Sequence, residues 1–158
     1  PVLVSYPRSS ARTNAFLDFG PDNPTFGTQV SGPLPWDAPN QVVSWGVLPL
    51  FGKLKKFDIA YSLLWRTGFP FITVNDFRQL VDGPGVHRFP DFFTLNPAVE
   101  RKFSFHGYRW MVRAGIDNLT NSQNPTLVNN ITSSSFFLTF DGLSHRTFQA
   151  HIRFLDRK

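Results

Sequence analysis

From Phe57 to Thr67 every second residue is large and apolar: Phe57, Ile59, Tyr61, Leu63 and Trp65 alternate with Asp58, Ala60, Ser62, Leu64 and Arg66. A period of two sends successive side chains to opposite faces of an extended chain. The spacing therefore predicts a β-strand with one greasy face and one mostly small or polar face. The pattern returns three times. Phe93, Leu95, Pro97, Val99, Phe103 and Phe105 alternate with Thr94, Asn96, Ala98, Glu100, Lys102 and Ser104. Trp110, Val112, Ala114 and Ile116 alternate with Met111, Arg113 and Gly115, and Phe148, Ala150, Ile152 and Phe154 with Gln149, His151 and Arg153. A face that carries charge on strand after strand meets water. The opposite face must meet a second sheet or lipid. Pro97 has no N–H to give to a ladder, so it predicts a lost bond unless it sits at a bulge.

The connections alternate between tight and long. Gly52–Lys56 joins a strand of about 41–51 to the one opening at Phe57, and His106-Gly107 joins the next pair of alternating runs; both have hairpin turn chemistry. Between them lie long segments: 9–40 with Pro21, Pro24, Pro33, Pro35 and Pro39; 68–90 with Gly83, Pro84, Gly85 and Pro90; and 118–142, rich in Asn, Ser and Thr. Long structureless loops are foreign to a compact soluble domain, whereas barrels of the outer membrane pair short periplasmic turns with long extracellular loops. The predicted fold is all-β, an antiparallel meander of about six strands running from Val2 to Phe154, with the long loops together at one end.

Composition sharpens the choice between sheet and lipid. The 158 residues include 18 Phe, 4 Trp and 3 Tyr, one Met and no Cys. A transmembrane barrel needs such rings at strand ends, at headgroup level. Phe51, Phe57, Phe103, Phe105, Trp110 and Phe154 flank the short turns, and Trp45, Trp65 and Phe93 lie toward the long loops. No apolar run approaches the roughly 20 residues of a membrane helix, and mean hydropathy is −0.18. The net charge of +5 comes from scattered Lys and Arg rather than from one stripe, which argues against nucleic acid as a partner. The opening Pro1–Tyr6 has no basic start of a signal peptide, which predicts either a leaderless soluble chain or a part of something longer.

Groups that carry chemistry are few. His87, His106, His145 and His151 have no metal-ligand spacing, and the absence of cysteine removes disulfides and thiolate sites. Asp18, Asp22 and Asn23 offer oxygens to Ca²⁺ without the closing Glu of an EF-hand. No nucleophile–base arrangement suggests a hydrolase, and neither catalysis nor a cofactor is expected. Glu100, beside Arg101 and Lys102, reads as half of an ion pair. Arg101 falls on the apolar face close to the turn at His106, where an arginine facing lipid costs about 0 to 1 kcal/mol rather than the roughly 2 to 4 of the midplane. Asn118-Leu119-Thr120 and Asn130-Ile131-Thr132 match glycosylation sequons and read as incidental. The loops are where ligand contact is expected, with Phe69, Phe71, Asn75, Asp76, Arg78, Gln79, Asn129 and Asn130 as candidates.

Several segments together resemble a known family. Ser31-Gly32-Pro33-Leu34-Pro35-Trp36-Asp37-Ala38-Pro39-Asn40, Gly68-Phe69-Pro70-Phe71, Arg88-Phe89-Pro90-Asp91-Phe92-Phe93, and Arg113-Ala114-Gly115-Ile116-Asp117-Asn118-Leu119-Thr120-Asn121 with Asn124-Pro125 are similar, in this order, to the C-terminal barrel strands of TonB-dependent outer-membrane receptors. The nearest type is Oar-like, whose members often carry an N-terminal carboxypeptidase-regulatory-like domain. The resemblance covers nearly the whole chain, 1–158. It implies a barrel of about 22 strands with a plug, of which this chain supplies the last six or so. It also implies a bacterial outer-membrane location and uptake of an extracellular ligand through TonB acting on a plug outside this chain. The last strand, with Phe148, Ile152 and Phe154, would then be the one read by the barrel-assembly machinery. From the residues alone the alternative stays open: a secreted, soluble β-sandwich that binds carbohydrate or protein.

Overall fold

A computed structural model of the chain describes residues 1–10, 12–13, 32–50, 56–83 and 85–157. The strands in chain order are β1 (Val2–Ser5), β2 (Arg12–Thr13), β3 (Gly32–Pro33), β4 (Gln41–Pro49), β5 (Phe57–Arg66), β6 (Pro70–Phe71), β7 (His87–Arg88), β8 (Phe92–Phe105), β9 (Tyr108–Asp117), β10 (Leu127–Val128), β11 (Phe140–Asp141) and β12 (Thr147–Arg157). The long strands and β1 form one six-stranded sheet in the order β1-β4-β5-β8-β9-β12. Every neighbouring pair is antiparallel. Spatial order follows chain order, so the sheet is the expected meander. Among the described residues there is no helix, and none is long and apolar enough to cross a membrane, a test that does not see strands.

Register turns the alternation into two continuous surfaces. Ile59 lies opposite Leu48 and Val99, and Leu63 opposite Ser44 and Leu95. Across the next pairs, Val99 meets Ala114, Phe103 meets Trp110, Val112 meets Ile152, and Ile116 meets Phe148. One face is thus apolar from β4 to β12, and Val2 and Val4 of β1 continue it. Its exceptions are few: the Ser44 and Tyr61 hydroxyls satisfy each other at 3.0 Å near the middle, and Arg101 lies opposite Phe57 and Val112. The other face is polar. There Glu100 accepts from Arg113 at 3.0 Å, Arg109 pairs with Asp156, and Asn96 donates to the Ser62 hydroxyl at 3.3 Å.

Two details go beyond the sequence expectation. The bond that Pro97 costs is confined to one side of β8, which pairs without a shift from Phe92 to Arg101 along β5. Carbonyl groups two residues apart point to the same side of a strand. The Leu95 carbonyl accepts from Leu119 on the β9 side, so the missing N–H of Pro97 also faces β9. The β8–β9 ladder begins one residue later, at Ala98 opposite Gly115. The last strand also runs beyond Phe154 to Arg157: a register shift between Phe154 and Asp156 restores pairing, so that Asp156 faces Arg109. Trp45 is a further correction. It lies opposite Ser62, on the polar face and in mid-strand, rather than in a ring at the loop end.

The tight turn at His106-Gly107 has φ of 50° and 75°, the pair of positive angles that a two-residue I′ hairpin requires. At the other tight connection the Leu50 N–H donates to the Phe57 carbonyl at 3.1 Å; Phe51 and most of the predicted turn, 52–55, lie outside the described residues, as do Asp18, Asp22, Asn23 and Pro84. The long connections leave the opposite end of the sheet, and those after β5 and β9 have structure of their own. Segment 67–91 contains the ribbon β6–β7, and segment 118–146 the ribbon β10–β11.

No second layer covers the apolar face among the described residues. The buried hydrophobic residues, Ala60 and Ala98, belong to the other face, while on this one Phe148 is 78% and Ile152 73% exposed. At about 25 cal/mol per Å² of apolar surface left in water, such a face is unfavourable for a sheet standing alone in solvent.

Candidate functional site

At the loop end, among the described residues, side chains from distant parts of the chain converge. Its anchor is Asp37, brought there by a turn in which its own N–H donates to the Leu34 carbonyl at 2.9 Å. Arg88 donates to Asp37 Oδ2 at 2.7 Å, to the Asp37 carbonyl at 2.9 Å and to the Gly68 carbonyl at 3.0 Å. The Asp37 side chain is almost wholly buried and that of Arg88 32% exposed. Gly68 is required by closeness: a Cβ there would stand 1.7 Å from the Phe89 carbonyl oxygen. The Phe89 N–H in turn donates to the Phe69 carbonyl at 2.9 Å. Three of the segments that carry the family resemblance, those containing Asp37, Gly68-Phe69 and Arg88-Phe89, are therefore one cluster in space.

The fourth segment ties the next loop to the sheet. Asn118 has φ of 52°, and its side-chain amide closes a turn by accepting from the Ser122 N–H at 2.9 Å and donating to the Ser122 carbonyl at 2.7 Å. Its own N–H donates to Asn96 Oδ1 at 2.8 Å. The Asn124 amide behaves as a missing strand residue. It accepts from the Phe93 N–H at 2.9 Å and donates to the Phe93 carbonyl at 2.8 Å. Both asparagines are buried, so every one of these bonds is made in a site where its loss would leave an unpaired polar group.

Above this base the two loops interlock. Val74 bridges Ile131, the Asn130 amide donates to the Ile72 carbonyl at 2.9 Å, and the Ser133 hydroxyl binds Asp76. Phe71 packs on His87 (5.7 Å), Phe89 (5.2 Å) and Phe140 (6.3 Å), joining β6, β7 and β11 through aromatic contact. Beneath them the fully buried Thr73 donates to Asp82 Oδ2 at 2.7 Å, and His87 Nε2 lies 3.0 Å from the same oxygen. The Thr73 hydroxyl first, and His87 second, hold the Asp82 carboxyl below the usual carboxylate range.

The eight loop candidates thus divide. Phe69 lies under the Arg66 guanidinium, 3.6 Å from its ring centre, and Phe71 belongs to the aromatic cluster. The Asn75 carbonyl oxygen accepts from the N–H groups of Phe77 (3.0 Å) and Gln79 (2.9 Å), and its amide donates to the Gln79 side chain at 3.0 Å. Asn129 bonds the Ser134 hydroxyl at 3.3 Å, while Asn130 and Asp76 hold the two loops together. These polar groups are used in building the loops. Arg78, exposed at φ 58°, points into solvent at the turn that Asn75 closes.

Sequence reasoning missed the exposed apolar residues of the loops. Phe77 is 78% exposed, and Phe136 and Val86 are also open to solvent. The signal was available: Phe77 interrupts the polar run Asn75-Asp76-Phe77-Arg78-Gln79, where no strand needs an apolar residue. Among the described residues no group of histidines or carboxylates has the geometry of a metal site. No family model matches the chain, and no curated protein or solved structure matches it.

Proposed function

We propose that the chain forms six consecutive strands in the C-terminal part of a large outer-membrane β-barrel of about 22 strands, in a TonB-dependent receptor that binds and takes up an extracellular ligand. The observation that carries this reading is the apolar face, continuous across all six strands and uncovered, against a charged opposite face. Lipid accepts the first and a watery lumen the second. Strands of 9, 10, 14, 10 and 11 residues for β4, β5, β8, β9 and β12 meet the roughly 9–11 residues that a tilted strand needs to span. Within this reading the folded loops face outward, with Phe77, Arg78 and Phe136 at the ligand side, and the tight turns face the periplasm. The role is binding and transport, without catalysis; coupling to TonB runs through a plug outside this chain.

The test is topology. In intact cells carrying the full protein, Gly83→Cys should react with an impermeant maleimide and Lys56→Cys should not, since each residue is exposed in the structure but at opposite ends of the strands. Labelling of Lys56→Cys with protection of Gly83→Cys would invert the orientation and remove the extracellular ligand. A protein recovered in the soluble fraction, with both positions reactive only after lysis, would favour the sandwich.

A further inference from the structure

The apolar face has one charged residue within its strands away from the last residue of β12, and that residue sits in a groove. Phe57 of β5, Val99, Arg101 and Phe103 of β8, and Val112 and Ala114 of β9 line a depression of about 550 Å³. The groove exists because Val99 and Ala114, opposite each other in register, are smaller than the rings of Phe57 and Phe103 that flank them. The Arg101 guanidinium lies 5.1 Å from the centre of the Phe57 ring. Among the described residues it has no carboxylate partner, whereas Arg88, Arg109 and Arg113 each have one. An unpaired guanidinium on an apolar surface is costly unless an anion meets it, and Arg101 is four residues from the tight turn, at the depth of a headgroup.

We propose that this groove is a binding site for one anionic phospholipid, its phosphate held by Arg101 and one acyl chain lying along Val99, Ala114 and Val112 toward the middle of the sheet. The proposal rests on the membrane reading above, which makes this the periplasmic leaflet. Charge complementarity selects the occupant. A zwitterionic lipid offers the same chains but brings a second cation beside the guanidinium. Phe57, at the wall of the groove beside Arg101, holds the donor group in place through cation–π attraction.

The intact protein that carries this chain, purified in detergent, should retain phosphatidylglycerol over phosphatidylcholine by about fivefold in native mass spectrometry, the ratio expected for one arginine at a membrane surface. Arg101→Lys should keep most of that preference and Arg101→Gln should abolish it. Ala114→Phe, which fills the groove without changing charge, should lower retention of both lipids. Equal retention of the two lipids by the native protein, or an unchanged preference in Arg101→Gln, overturns the site. Insertion into vesicles is scored separately by protease protection. Insertion with no headgroup preference removes the lipid site and leaves the barrel standing; no insertion into vesicles of either lipid removes both.

Discussion

Single residues carry two kinds of constraint here, and substitutions separate them. Leu63 stands in the middle of the apolar face between Ser44 and Leu95, and Ser62 stands beside it on the face of Asn96. If the proposed barrel holds, Leu63→Arg should impair assembly of the full protein, because a charge facing lipid at mid-strand costs about 2 to 4 kcal/mol. Ser62→Arg, one residue away, should be tolerated in water. Comparison of outer-membrane levels checks it; equal levels would reverse the assignment of faces. The second constraint is the Asp37–Arg88 contact, which joins segments 51 residues apart in the chain. Arg88→Ala removes the bonds that Arg88 makes to the buried Asp37 and to the Gly68 carbonyl, a loss of about 1.5 to 3 kcal/mol for hydrogen bonds to a charged group. Protease should then cut within 67–91 at far lower concentration. Arg78→Ala, at an exposed turn position, should leave the cutting pattern unchanged.

At the scale of elements, the strands were legible and the loops were not, for a physical reason. A strand's faces follow from a local period of two, so β5, β8, β9 and β12 could be read to within a few residues. Aromatic placement was less legible: Trp45 looked like a ring at a strand end, and only the register with Ser62 puts it on the polar face. Loop structure depends on pairs such as Arg88 with Asp37 and Asn124 with Phe93, which no local pattern announces. Asn75, Asn129 and Asn130 were legible as loop residues, but the hydrogen bonds they make within and between the loops were not. The joined loops also make a pH prediction. The Asp82 carboxyl is held below its usual range by Thr73 and His87, so the folded loop binds fewer protons than the unfolded one near pH 4. The stabilisation is full above the ordinary carboxylate pKa and is lost as pH falls through the lowered one. Protease resistance of 67–91 should hold from pH 7 to about pH 5 and fall below about pH 4. Asp82→Asn should weaken it at neutral pH and flatten the acid dependence. A native profile that is already falling between pH 7 and pH 5 would mean that Asp82 is not the controlling group.

At the scale of the molecule, the decisive quantities are the edges and the face. β1 and β12 each have one partner, so the six-stranded sheet leaves two rows of backbone donors and acceptors open among the described residues. An open edge recruits other strands, and an uncovered apolar face recruits other faces. A closed barrel answers both at once: further strands pair the edges, and lipid takes the face. A sandwich answers only the second unless its own edges are protected. The two architectures therefore differ in what the 158-residue chain does alone. As part of a barrel it should be insoluble when expressed by itself in water and should regain β-type circular dichroism in detergent, because micelles cover the face while the edges still associate. Sedimentation in detergent should accordingly show oligomers rather than one closed species. A monodisperse monomer in plain buffer, with a cooperative thermal transition, would mean that the chain supplies its own second layer, and the membrane reading would fail with it.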